Sequence, residues 1–157
     1  MFIGLSSYPE HASGNVGDKL ITEVSMDLIR HVHGAVEFNL HYRGEEFTSR
    51  LDYLNACDAI LLFPLTTIES RTIPANYRFT ENFSDVEVPI IPIGGTHSFF
   101  PGDRRELEQQ VLSGSTSDFL DHLTQYCPNG EIPVRTAWME HLFARNGYHT
   151  VLTGDPA

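Results

Sequence analysis

The segment 58-DAILLFPL-65 is almost unbroken in apolar residues and does not alternate with polar ones. A strand with one wet face alternates, whereas a parallel strand covered on both faces reads as a continuous apolar run. This stretch is therefore expected to be a buried strand of a parallel sheet, which requires helical crossovers on either side. The neighbouring segments supply them. Upstream, Phe47 to Cys57 reads as a helix with Leu51, Leu54 and Phe47 inward, and Val36 to Leu40 alternates as a strand. Downstream, 87-EVPIIPIGG-95 is a second buried strand, with Pro92 weakening its hydrogen bonding.

Phe2 to Ser6 can form the first strand. Asp18 to His33 carries Leu20, Ile21, Val24, Leu28, Ile29 and Val32 at spacings of three and four, which predicts a helix buried along one face. Thr66 to Ser84 gives no clear pattern beyond a short helix around Asn76 to Asn82. Asp103 to Leu112 reads as a polar helix, and Ser115 to Asp118 as the start of a helix running through 119-FLDHLTQYC-127. A short strand, 132-IPVR-135, precedes a helix from Ala137 to Asn146. Gly147 stands where a left-handed residue closes such a helix, and 149-HTVLTG-154 is the last strand. Strands alternating with helices give an α/β fold with a Rossmann-like parallel sheet flanked by helices and right-handed crossovers. Five to six strands are expected, without internal repeats, in a single domain covering 1–157.

Bulk properties narrow the function classes. A net charge of −11 over 157 residues argues against nonspecific binding to nucleic acid, which needs clustered cations. No apolar run approaches the roughly 20 residues of a membrane span, and the start MFIGLSSYPEH has no signal-peptide pattern. Cys57 and Cys127 lack disulfide or metal spacing, and the eight histidines lack a ligand motif, so a cytoplasmic chain without a metal site is expected.

Three places can carry chemistry. The loop 14-GNVGD-18 opens the first helix, where glycines let backbone approach a ligand and free N–H groups favour an anion. It fits a purely structural turn equally well, with Asp18 capping its own helix. The segment 94-GGTHSFF-100 comes after a strand end, so Gly94, Gly95 and His97 form either a ligand rim or an ordinary turn. Arg135 ends a strand, where it can take an anionic group in bidentate fashion or pair with a carboxylate. Asp155, past the last strand, can hold a hydroxyl or cap a succeeding element. Asp18 and His97 are the two catalytic candidates, His97 as a group that can transfer a proton.

Together, 14-GNVGD-18, 88-VPIIPIGG-95 and 134-VR-135 followed by a helix and 151-VLTGDPA-157 resemble the polysaccharide pyruvyl transferase family, in the same order. The chain departs from the family pattern at 63-FPLTTI-68, where a glycine cluster is usual, and at Thr136, where an acid is usual. The resemblance implies the first Rossmann-like domain of a GT-B-like arrangement, the N-terminal half of a longer two-domain protein. The implied activity is transfer of a pyruvyl group from phosphoenolpyruvate to a pair of sugar hydroxyls as a ketal, in polysaccharide biosynthesis. Phosphoenolpyruvate would be a substrate, and no cofactor is implied. Asn15, Gly17, Asp18, Gly94, Gly95, Arg135 and Asp155 would bind substrate. The partners would be a sugar or glycan acceptor and a second Rossmann-like domain or a second copy. Because the donor's cations lie mostly in the family's second domain, the chain by itself is expected to be inactive. The alternatives are a GT-B glycosyltransferase domain using a nucleotide sugar, or a non-catalytic binding module of the same fold.

Overall fold

A computed structural model describes residues 1–8, 16–68, 77, 83–98, 112 and 114–154. The run around Ile60 is strand β3 (Ala59–Phe63), every residue of it buried. It lies between β1 (Phe2–Ser6) and β5 (Ile90–Pro92), and β2 (Phe38–Tyr42) flanks β1, so the order is β2-β1-β3-β5. All pairings are parallel, with Ile3 opposite Ile60 and Leu61 opposite Ile91.

The strands β4 (Thr66–Ile68) and β6 (Thr96–Ser98) pair in parallel beyond β3 and β5. Backbone bonds from Leu65 N to Ile93 O (3.2 Å) and from Thr96 N to Leu65 O (2.8 Å) make them extensions of those strands. The apolar pattern alone ends the two strands at Pro64–Leu65 and at the glycines, so both run further than expected. Another parallel pair, β7 (Ile132–Val134) and β8 (Thr150–Leu152), joins through a bridge between Gly95 and Val134. Gly95 N donates to Pro133 O at 2.8 Å and Arg135 N to Gly95 O at 2.9 Å. The edge strand β2 also lies two residues later than its alternation suggests.

Helix α1 (Val16–His33) connects β1 to β2. A 3-10 turn (Thr48–Arg50) and α2 (Leu51–Asn55) replace the single helix expected over Phe47 to Cys57. Helices α3 (Gly114–Thr124) and α4 (Ala137–Arg145) come next, and Gly147 has the left-handed φ of 86° expected after α4. The expected helices at Asn76 to Asn82 and Asp103 to Leu112 fall almost wholly outside the described residues.

Side chains divide by face, as the period of two requires. Ile3, Leu5, Ile60, Leu62, Ile90, Ile132 and Val134 join one core with Leu54 of α2, Phe119, Leu120 and Leu123 of α3, and Leu142 and Phe143 of α4. Ala59, Leu61 and Phe63 point the other way and are buried outside that core, on the side of α1. Gly4 on that face is needed for space, since a Cβ there would meet the Phe63 ring at 2.9 Å.

The burial expected for α1 is corrected by the structure. Its buried residues are Ile21, Thr22 and Ser25, whereas Leu20, Leu28 and Val32 are exposed. Neighbouring residues lie about 100° apart around a helix, so with Ile21 and Ser25 on the sheet, Leu20, Leu28 and Val32 turn outward.

Tyr77 pins the turn between β3 and β4. Its buried hydroxyl donates to Pro64 O at 2.6 Å and accepts from Thr66 N at 3.1 Å. Tyr77→Phe removes one donor and one acceptor from a buried site and is expected to cost about 1–3 kcal/mol. A lower urea midpoint at unchanged slope would show it; an unchanged midpoint would mean the hydroxyl contributes nothing.

Candidate functional site

In an open parallel sheet, ligands bind beyond the carboxyl ends of the strands where the strand order reverses. Here the chain runs from β1 to β2 on one side and then crosses to β3 on the other, so the reversal lies between β1 and β3. Polar residues at the ends of β1, β2 and β3 and in α1 lie along this edge.

From the end of β1 come Ser6 and Ser7, both buried. Ser6 Oγ lies 2.7 Å from Thr22 Oγ1 and accepts from Tyr8 N at 3.2 Å. Thr22 Oγ1 is also 2.7 Å from Asp18 O, one turn back along α1. The Ser7 hydroxyl donates to the Asp18 carboxylate. Because α1 starts at Val16, Asp18 lies inside the first turn and does not occupy the capping position. Its carboxylate faces the strand end and is stabilised by the positive end of the helix dipole. The second glycine of 14-GNVGD-18, Gly17, is exposed beside it; Gly14 and Asn15 lie outside the described residues.

From the end of β2, half-buried Arg43 reaches across to Thr66 at the end of β3, its Nη1 donating to Thr66 Oγ1 at 3.2 Å. Arg43 N also donates to Ser6 O at 2.8 Å, which fixes the arginine backbone against β1. No sequence motif singles out Arg43 or Thr66. Their position depends on the true end of β2 and on the extension of β3 into β4.

The remaining expected residues lie further along the same edge. Gly94 has φ 56°, and a Cβ on Gly95 would meet Pro133 O at 3.0 Å, so the passage of β5 and β6 beside β7 accounts for both glycines. Arg135 comes directly after β7, held by its backbone bond to Gly95. Thr136, where the family pattern has an acid, caps α4 by accepting from Met139 N at 3.2 Å. The backbone of His97 lies in β6 opposite Thr67, but its side chain and all of Asp155 are outside the described residues.

A second polar cluster stands under β2. His41 Nδ1 is 3.0 Å from Glu45 Oε2 and its Nε2 is 2.7 Å from Tyr53 Oη, which also accepts from Asn39 at 3.3 Å. The Arg50 guanidinium binds Glu45 at 2.5 Å and stacks 4.7 Å over the Tyr53 ring. These bonds tie the loop between β2 and α2 to both elements. Among the described residues, no group of three or more His, Cys, Asp or Glu side chains could hold a metal ion. No described helix is long and apolar enough to cross a membrane.

No family model matches the chain, and no curated protein or solved structure gives a significant match.

Proposed function

We propose that the carboxyl edge between β1 and β3 binds a sugar acceptor, and that the chain is a polysaccharide pyruvyl transferase-like domain of a GT-B-like enzyme. The observation that carries this reading is that two polar pairs, Ser7 with Asp18 and Arg43 with Thr66, both lie at the carboxyl ends of the strands beside the strand-order reversal. Hydroxyls, one carboxylate and one guanidinium suit a polyhydroxylated ligand, because a sugar hydroxyl both donates and accepts. The order of 14-GNVGD-18, 88-VPIIPIGG-95 and 151-VLTGDPA-157 supports the choice of family.

In this reading Asp18 accepts a hydrogen bond from one hydroxyl of the acceptor pair and Arg43 orients its neighbour. The donor would be protonated at its vinyl carbon as the first hydroxyl attacks the cationic centre. The second hydroxyl then displaces phosphate, leaving the ketal. By the resemblance, the cations for the donor's carboxylate and phosphate would come mostly from a facing domain. His97 and Arg135 remain candidates on the same edge, and the setting would be cytoplasmic polysaccharide assembly.

Titrating galactose, glucose and mannose into labelled protein, followed by amide shifts, tests the reading. Shifts are expected at Ser7, Asp18, Arg43 and Gly95, with millimolar affinity for at least one sugar. Asp18→Asn keeps the side-chain shape but loses the charge-assisted bond, so affinity should fall roughly tenfold. No shift at this edge with any sugar, or an Asp18→Asn variant that binds as well as the parent, would overturn the assignment.

A further inference from the structure

Helix α1 carries a row of five apolar residues spaced by four: Val16, Leu20, Val24, Leu28 and Val32. Val16 is 75% exposed, Leu20 49%, Leu28 56% and Val32 67%, with Val24 half-buried between them. The adjacent row, Ile21, Ser25 and Ile29, takes the sheet contact. The core on the opposite face of the sheet holds residues of α2, α3 and α4 and none of α1. An apolar row of this length on a monomer's surface marks an interaction site.

The row reads the same from both ends. Val16 and Val32 are equally distant from Val24, as are Leu20 and Leu28. A two-fold axis beside Val24 would therefore bring Leu20 nearest Leu28 of an antiparallel second helix, with Val16 and Val32 at the ends of the row. Rows at a spacing of four interdigitate at a crossing near −50°, the commonest class of helix packing. We propose that this ridge is the interface of a homodimer, an isologous contact in which α1 of one copy crosses α1 of the next.

Charge agrees with the antiparallel arrangement. Beside the ridge runs the row Lys19, Glu23, Asp27 and His31. Lys19 sits 3.8 Å from Glu23 within its own helix. The crossing brings Lys19 toward the second copy's Asp27, and its own Asp27 toward the second copy's Lys19. The ridge spans about 24 Å of helix, and a single helix crossing buries well under the roughly 800 Å² that a standard stable interface takes from each partner. The dimer should therefore be weak. Two copies of charge −11 repel, so association should tighten as salt screens them.

Sedimentation equilibrium of the full chain at concentrations from about 5 to 500 µM, in low and high salt, tests this range of association. A monomer–dimer equilibrium that tightens with salt is expected. Leu20→Glu and Leu28→Glu, at exposed positions, should each weaken it at least roughly tenfold while circular dichroism stays unchanged. Lys19→Asp should weaken it too, and the added change Asp27→Lys should restore it. A monomer at every concentration would overturn the proposal. So would open-ended association, a dimer indifferent to both glutamates, or failure of the charge swap to restore what Lys19→Asp removed.

Discussion

Leu62→Asp is expected to abolish cooperative folding, while Leu152→Asp leaves the melting temperature almost unchanged. Leu62 is fully buried in β3, the strand paired on both sides, and packs into the core shared with α2, α3 and α4. A carboxylate there would face apolar neighbours, and an unpaired buried charge costs several kcal/mol even after its pKa rises. Lost packing adds about 2–5 kcal/mol, against a total stability of about 5–15 kcal/mol for an ordinary domain. The variant should show no sigmoidal melt by circular dichroism. Leu152 belongs to β8 at the far margin of the sheet and is 51% exposed, so its change should stay within about 0.5 kcal/mol. Equal losses in the two variants, or a cooperative melt for Leu62→Asp near that of the parent, would contradict the sheet order.

The same strand explains why the fold class was legible. A parallel strand covered on both faces has nowhere to put a polar side chain, so Ala59 to Phe63 announces itself without an alignment. Gly147 was legible for a local reason, the backbone conformation that ends α4. The extensions β4 and β6 were not. Each is three residues long, and Pro64 and the pair Gly94–Gly95 carry the ordinary marks of a strand ending. Their pairing depends on two chain segments about 30 residues apart reaching the edge in register, which no local pattern records.

The site was half legible for a related reason. The strand end and first helical turn around Asp18 could be placed from 14-GNVGD-18, because glycines and a helix start are local signals. Arg43 could not. Reading β2 as Val36 to Leu40 instead of Phe38–Tyr42 keeps the alternation correct but misplaces the end of the strand by two residues. That shift hides Arg43, whose backbone bonds to Ser6 at the end of β1 and whose side chain reaches Thr66. On α1 the sequence holds two interleaved apolar rows. Periodicity alone does not say which of them meets the sheet, and the structure buries Ile21 with Thr22 and Ser25 beside it.

Stability should fall steeply in alkali, beginning near pH 9. Burial pushes the Cys127 thiol up to about 11, and it raises Cys57 and Tyr77 as well. Cys127 is 8% exposed and sits in the core with Phe119 and Leu123, where a thiolate would have no water. In the unfolded chain the thiols ionise at their ordinary values, so between the two pKa values the unfolded state binds fewer protons than the folded one. Stability with that balance declines as pH rises. The contribution of Cys127 is fully present below pH 9 and is lost as pH climbs toward 11, on the order of 2 kcal/mol for a shift of this size. Cys57 and Tyr77 act in the same direction. Urea midpoints measured at several values from about pH 8 to 11 should therefore drop throughout, and Cys127→Ala should flatten part of the slope. Both thiols should also resist iodoacetamide in the folded protein at pH 8 and react once urea exposes them, since the thiolate is the nucleophile. A midpoint that holds constant to pH 11, or rapid alkylation of Cys127 in the folded state, would show that this core admits charge and water.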